Sequence, residues 1–382
     1  RLTARLVLSH RTGLPNWGGE RLDFETDPGA AFGYSGEGFV LLQRALEQTT
    51  GETLDALTRR EVFEPLGMVR SRFSWPEGTE LGRVTRHDPV GRPQPGNEPR
   101  ESNAAASLHT TASEYARFVV AWLNGELLGE PAADEALRPA VRIERDSVDE
   151  EETATARLAW GLGWGIELPA AGAPGHPIYW HWGDNGPSKA FVAFDLATGS
   201  GLVYFANSAN GLAIGPALVA DVVGEMGATF EWLGYERYDS PGYAERLAGA
   251  VAESEGRYGE ATAAFRSALA ADPEDEETAR RVEWLTDLLD RQQRPVALPR
   301  SLLERYAGSY GPRVLGVEEG MLHYQRGEGT RYRLVPLSET LFALDGLVTF
   351  RIEVALDDRG EPVKIIGHYV SGETDESARD PA

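Results

Sequence analysis

Residues 28–51 read PGAAFGYSGEGFVLLQRALEQTTG, and the fold is decided by how Gly33-Tyr34-Ser35-Gly36 within them is read. One reading is a nucleophile elbow, Gly-x-Ser-x-Gly, a strained turn that follows a buried parallel strand and enters a helix. The second glycine position holds Glu37, and the preceding FETDPGAAF (24–32) is turn-like, with Pro28 and Gly29 where a buried strand is required. The following run places Phe39, Leu42 and Leu46 at helical spacing and stops at Gly51. The other reading makes Tyr34 the chemical residue and Ser35 a structural one. The first predicts a parallel sheet, the second does not.

Working outward, LDALTRREVFEPLGM (54–68) predicts a helix closed by Pro65 and Gly67. Residues 76–103 are rich in Pro, Gly and charge and predict a long surface excursion, and residues 129–157 predict an acidic loop. Between them TTASEYARFVVAWLNG (110–125) is a capped amphipathic helix, with Tyr115, Phe118, Val119 and Trp122 on its apolar face. Strand-like runs follow at AWGLGWGIEL (159–168), IYWHWG (178–183), KAFVAFDL (189–196) and SGLVYFANS (200–208). A short turn such as Leu196-Ala197-Thr198-Gly199 predicts antiparallel pairing.

Composition narrows the chemistry. With 37 Lys and Arg against 60 Asp and Glu, the 382 residues carry a formal charge of −23. Nucleic acid and acidic membrane surfaces are disfavoured as partners, because binding phosphate requires a cationic face. No apolar run approaches the roughly 18 residues of a membrane span. The absence of Cys excludes disulfides, thiol catalysis and cysteine metal sites. The 7 His show no His-Glu-x-x-His or comparable ligand spacing, so neither a metal nor a cofactor is expected.

Five segments carry a resemblance in one consistent order: LVLSHRTGLPNW (6–17), PGAAFGYSGEGFVLLQRALEQTTG (28–51), VFEPLGM (62–68), SLHTTASEYARF (107–118) and HWGDNGPSKAFVAF (181–194). Together they resemble the class C beta-lactamase-related serine hydrolases, a group that includes penicillin-binding proteins, D-alanyl-D-alanine carboxypeptidases and esterases. The resemblance implies an α+β fold with an antiparallel sheet flanked by helices over residues 1–238. It further implies hydrolysis of a small ester, amide or peptide through an acyl-enzyme, and export from the cytoplasm.

In that family a Ser-x-x-Lys pair is followed by a Tyr-x-Asn motif and then by Lys-Thr-Gly or His-x-Gly on a strand. Tyr34-Ser35-Gly36 resembles the second and His181-Trp182-Gly183 the third. Tyr34 is thereby implied as the proton carrier, its ordinary pKa of about 10 needing a nearby cation to favour the phenolate. His181 is implied to hydrogen-bond the tyrosine or a substrate carboxylate, Gly183 to keep the strand open, and the Asp184 N–H to stabilise an oxyanion. Asn185, Ser188 and Lys189 lie just past that strand, where a turn role is expected and a substrate-facing one is the alternative, and Ser9 and His10 belong to a loop without assigned chemistry. Gly36 stands at a substrate-facing position where the family carries Asn, whose amide contacts the substrate's acyl amide; its loss implies weaker amide recognition and an esterase-like leaning.

No Ser in the chain has Lys three residues on, and Ser188-Lys189 has the wrong spacing. The resemblance therefore implies an N-terminally truncated member without its nucleophile, inactive alone, since losing a serine nucleophile costs on the order of a million-fold in turnover. A catalytically dead binding or scaffold protein on the same fold is the competing reading.

The remainder of the chain changes character twice. Residues 239–294, with Gly256-Arg257-Tyr258, Ala264-Phe265, Ala268-Leu269 and Asp272-Pro273, resemble a tetratricopeptide unit and predict a helical hairpin. One such unit cannot bury its own apolar faces, so it must dock on a neighbour, as a spacer or as a surface for a protein partner. Residues 295–372 carry short strands separated by Gly turns and predict a small antiparallel β-barrel-like domain, lipocalin-like by analogy with multidomain relatives. The acidic end, 373–382, is expected to be disordered.

Overall fold

The computed structural model describes residues 2–19, 21–75, 82–96, 98–143 and 157–381. It divides into two compact units, Arg1–Arg237 and Tyr238–Ala382.

The first unit begins with α1 (Ala4–Leu8), α2 (Gly36–Thr50) and α3 (Leu54–Thr58), the last running into a π-helical turn at Arg59–Phe63. Ser35 caps α2 by accepting the Gly38 N–H, and Gly51 ends it in the left-handed conformation, as the Gly stop predicts. Part of the 76–103 excursion is a small hairpin, β1 (Arg86–His87) and β2 (Pro93–Gln94); positions 76–81 and 97 of it lie outside the described residues. Thr111 caps α4 (Ala112–Leu123) through the Glu114 N–H. Glu114 itself does not complete a capping box. Its carboxylate is buried and accepts the Arg70 N–H and the Ser71 hydroxyl instead, tying α4 to the loop after the π-turn.

The expected 129–157 loop is corrected at its start. Glu130–Leu137 form α5, because Pro131 in its first turn is pre-set for a helix and Ala136 and Leu137 bury at its end. A strand β3 (Val141–Arg142) follows, and 144–156 lie outside the described residues.

The sheet continues as β4 (Leu158–Trp160), β5 (Gly165–Glu167), β6 (Ile178–Asn185), β7 (Ser188–Asp195) and β8 (Ser200–Ala206). Among the described residues its order is β3-β4-β5-β6-β7-β8, antiparallel throughout. Interior strand β7 is apolar on both faces. Phe191 and Ala193 join Trp160, Trp180 and helices α6 (Gly215–Val222) and α7 (Gly227–Leu233), while Val192 and Phe194 pack with Val119 and Trp122 of α4. An antiparallel sheet with Ser35 at a helix cap removes the parallel α/β-hydrolase reading.

In the second unit α8 (Tyr243–Ser254), α9 (Tyr258–Ala271) and α10 (Glu276–Gln293) precede a short α11 (Arg300–Tyr306). The first two pack closely at Gly249, where a Cβ would sit 2.7 Å from the Phe265 ring. Trp284, Leu285 and Leu288 of α10 share a core with Ala343, Val348 and Val370, so the helices bury their apolar side on the sheet that follows. That sheet is an eight-stranded antiparallel meander: β9 (Gly308–Tyr310), β10 (Arg313–Glu318), β11 (Met321–Arg326), β12 (Tyr332–Pro336), β13 (Leu341–Leu344), β14 (Leu347–Leu356), β15 (Pro362–Tyr369) and β16 (Thr374–Ala378). It is nearly closed into a barrel: the Asp380 N–H, just past β16, donates to the Ser309 carbonyl of β9 at 2.9 Å.

The last strand corrects the expected disorder of 373–382. Its acidic residues read as solvated tail, yet each backbone position from Thr374 to Ala378 pairs with β15 and Asp375 finds a buried Arg313. Backbone pairing and one charge outweigh composition here.

Candidate active site

The sheet opens where the candidate residues lie. Strand β5 pairs with β6 only as far as Gly165↔Trp180, whereas β7 pairs with β6 from Tyr179 to Asn185. Among the described residues, His181–Asn185 therefore have β7 on one side and no strand on the other. Asn185↔Ser188 closes the two-residue Gly186-Pro187 turn, so alternation makes Gly183↔Ala190 the next hydrogen-bonded pair. Asp184 and Trp182 then turn their backbone N–H and C=O groups away from β7, toward the open edge. The Trp182 carbonyl is indeed used there, accepting a hydrogen bond from His181 Nδ1 at 2.8 Å.

The Tyr34 ring packs against side chains of β6 and β4. Its ring centroid is 4.8 Å from Trp182, 5.9 Å from Trp160 and 6.4 Å from His181. Because a carbonyl only accepts, Nδ1 of His181 carries the proton, and the neutral ring keeps its lone pair on Nε2. Burial lowers the His181 pKa, only partly opposed by the Trp182 carbonyl, so the ring is neutral at physiological pH. Burial pushes the Tyr34 phenol up to about 12. The shift is opposite in sign to that of a phenolate base. Gly183 meets only the Ala190 side chain, at 3.4 Å from a built Cβ, and leaves the strand face above it open.

The Asp184 carboxylate takes an ion pair from Lys189, the Tyr235 hydroxyl at 2.5 Å and the Gly186 N–H at 3.0 Å. Burial alone would raise its pKa, but the hydrogen bonds from Lys189 and Tyr235 and the Lys189 charge hold it below the ordinary carboxylate value. Lys189 is buried and lies 5.3 Å from the Tyr235 ring centroid. Asn185 donates to the Ala106 carbonyl at 3.1 Å, a turn-anchoring role.

Ser35 is accounted for without chemistry. It is buried, donates its hydroxyl to the Pro15 carbonyl at 2.8 Å and accepts the Gly38 N–H at 3.1 Å. Gly36 is also buried. Its N–H goes to Asn16 Oδ1 at 3.0 Å, and a Cβ would fall 2.8 Å from the Trp17 ring. The surface at position 36 is therefore supplied by Trp17.

Three participants escaped sequence reasoning. His10 lies in a quoted loop but pairs with residues 23 to 25 positions on, which no local period reveals. Trp17 was visible only as an aromatic in a Gly-rich turn. Tyr235 follows α7 in a stretch with no motif.

The sequence profile of the family described as beta-lactamase matches residues 1–222. No curated protein sequence matches the chain. Among solved structures, it is similar to a D-stereospecific amidohydrolase from Streptomyces sp., at 19% identity and TM-score 0.41, covering 54% of this chain and 68% of that one. A penicillin-binding protein from Bacillus halodurans is similar at 21% identity and TM-score 0.47, covering 56% and 71%. An octameric penicillin-binding protein homologue from Pyrococcus abyssi is similar at 16% identity and TM-score 0.44, covering 95% and 76%.

Proposed function

The chain belongs to the beta-lactamase family, and from that premise we propose that Tyr34 and His181 form the proton-handling side of a serine-hydrolase site for a small ester, amide or peptide. The observation that carries this reading is the packing of the Tyr34 ring beside β6, 4.8 Å from the Trp182 ring and 6.4 Å from the His181 ring between centroids. In acyl transfer a serine oxygen attacks the carbonyl, its proton moves to a base, and the same proton is returned to the leaving group. Tyr34 is the carrier of that proton, His181 the neutral hydrogen-bonding partner, and the Asp184 N–H a donor to the developing oxyanion.

The 382 residues bind such a ligand but do not turn it over. Their two lysines, Lys189 and Lys364, are preceded three positions earlier by Gly186 and Glu361, so no Ser-x-x-Lys pair is present. Lys189 is committed to Asp184, and burial keeps the Tyr34 phenol protonated. That last feature also favours the second reading, a binding protein on the hydrolase fold. The test is incubation with a fluorescent fluorophosphonate alongside NMR of Tyr34 and His181 during titration with phenylacetamide. No label and a shift of both residues are expected. Covalent labelling of any serine overturns the inactive reading, and unmoved resonances overturn the site itself.

A further inference from the structure

The second unit holds a cavity of about 540 Å³ between the C-terminal end of α10, the 295–298 segment and strands β11 and β12. That volume is in the range of small-molecule sites. The barrel's own core is filled by Tyr310, Leu315, Phe342 and Ile352, so the cavity is not a central lumen. Its floor is apolar: Leu288, Leu303, Leu322 and Leu334 line it, each 5% exposed or less.

Charge is confined to three lining side chains, Arg291, Arg333 and Asp345. Nε and Nη2 of Arg333 both donate to one oxygen of Asp345, Oδ2, at 3.0 and 2.6 Å. Its Nη1 is spent on the Met321 sulfur, 3.8 Å away and a weak acceptor. Met321 lines the same cavity, so among the described residues a lining guanidinium keeps donors with no oxygen to receive them. Arg291 is under-neutralised as well, because Asp290, 3.2 Å from it, is shared with Arg294. Around the cavity three guanidiniums meet two carboxylates, one positive charge in excess, in a chain whose formal charge is −23.

We infer that this cavity binds a small apolar monocarboxylate, an aryl-alkyl or medium-chain acid, with its tail on the leucine floor and its carboxylate on the Arg333 fork. An apolar floor beneath one excess cation matches an apolar body ending in one negative charge, and the planar fork suits carboxylate geometry. A neutral ligand leaves the Arg333 donors unanswered, and a dianion exceeds the charge available. The inference is independent of the Tyr34–His181 reading, because every lining residue belongs to the second unit.

The chain's three methionines make the test direct. Met321 lines the cavity, whereas Met68 and Met226 are buried in the first unit. In the intact chain labelled at its methionine methyl groups and followed by NMR, phenylbutyrate should move the Met321 signal and leave the other two in place. Phenylbutyramide, the neutral isostere, should bind about tenfold more weakly, the worth of a charge-assisted hydrogen bond at a half-exposed arginine. Butyrate, which lacks the ring, should lose at least as much. Arg333→Gln should reduce phenylbutyrate to the affinity of the amide without changing the amide's own. Ala297→Trp, placed at an exposed lining position, should block both ligands. Unchanged thermal midpoints would show that both variants fold. An unmoved Met321 signal, an amide that binds as tightly as the acid, or undiminished phenylbutyrate binding by Arg333→Gln overturns the inference. So does movement of all three methionine signals in step, which marks non-specific association.

Discussion

The His10 ring stacks on Tyr34, with centroids 4.1 Å apart and 28° between planes, and holds the tyrosine loop at both ends. Its Nδ1 accepts the Ser35 N–H at 3.0 Å and its carbonyl accepts the Gly33 N–H at 2.8 Å. To do both, His10 adopts a φ of 50°, a left-handed conformation strained for a residue with a Cβ. Replacing it with Ala leaves a cavity and an orphaned Ser35 donor, together about 2–4 kcal/mol of stability by urea unfolding. His10→Asn, whose side-chain oxygen can accept the same N–H, should recover part of the loss.

The same residue sets an acid limit. Burial, helped by repulsion from His181, pushes His10 down to about 3, so the folded state resists a proton that the unfolded chain takes up near 6.5. Its contribution is complete above about pH 6.5 and is lost as pH falls toward 3, by up to about 1.4 kcal/mol per pH unit. His181, lowered in the same direction, adds to the slope. Urea midpoints between pH 7 and 4 should fall in wild type and fall less steeply in His10→Asn.

Tyr34 sets the opposite limit. With its phenol raised to about 12, its ring-carbon NMR signal should stay flat through pH 11, where an ordinary exposed tyrosine has already titrated near 10. A raised pKa means its stability contribution is whole below about pH 10 and is lost as pH climbs through 12, so Tyr34→Phe should flatten the alkaline decline. A Tyr34 signal moving below pH 10 would reveal a cation acting on it and restore it as a base in this chain.

Why these elements were readable and others were not follows from range. The α2 stop at Gly51, the Thr111 cap and the strands from 158 to 206 are written in local periods and turn residues, and those are what the eye finds. Tyr34 and His181 came from motif order. Their meeting depends on β5 ending opposite Trp180, a pairing length that no local pattern states. His10, Trp17 and Tyr235 act over 19 to 51 positions of sequence through loops without a period, and β16 depends on a partner strand and a buried charge.

The Asp184–Lys189 pair should behave as one unit. Lys189→Met removes the main cation facing a carboxylate whose side chain is only 30% exposed, so the Asp184 carboxyl should titrate higher, seen directly by NMR. Because its folded pKa is depressed in wild type, the pair's contribution holds above about pH 4 and disappears as pH falls through the folded value. The variant should lose about 1–3 kcal/mol at neutral pH and exchange the Gly186 amide faster. Unchanged Asp184 titration would assign its low pKa to Tyr235 and Gly186 alone.

Arg313 gives the sharpest test of the terminal strand. Its side chain is fully buried, paired with Asp375, 3.0 Å from Ser377 Oγ and 3.3 Å from the Tyr324 hydroxyl. Gly367 makes room for this arrangement, since a Cβ there would lie 2.3 Å from the Asp375 carboxylate and 3.0 Å from the Arg313 guanidinium. Asp375→Asn strands the buried cation and should destabilise the second unit by about 2 kcal/mol, below the usual figure for a broken buried pair because Asp375 remains 36% exposed. Amide exchange should then rise across Thr374–Ala378 before the inner strands respond, the edge strand having lost its charge anchor. Replacing both partners with apolar residues, Arg313→Met with Asp375→Leu, removes the stranded charge and should be less damaging than Asp375→Asn alone. In wild type the anchor is present above about pH 4 and weakens as pH falls through the depressed Asp375 value, so acid should expose β16 first. Protection of Thr374–Ala378 that is identical in wild type and Asp375→Asn would mean that backbone pairing to β15 holds the strand without the charge.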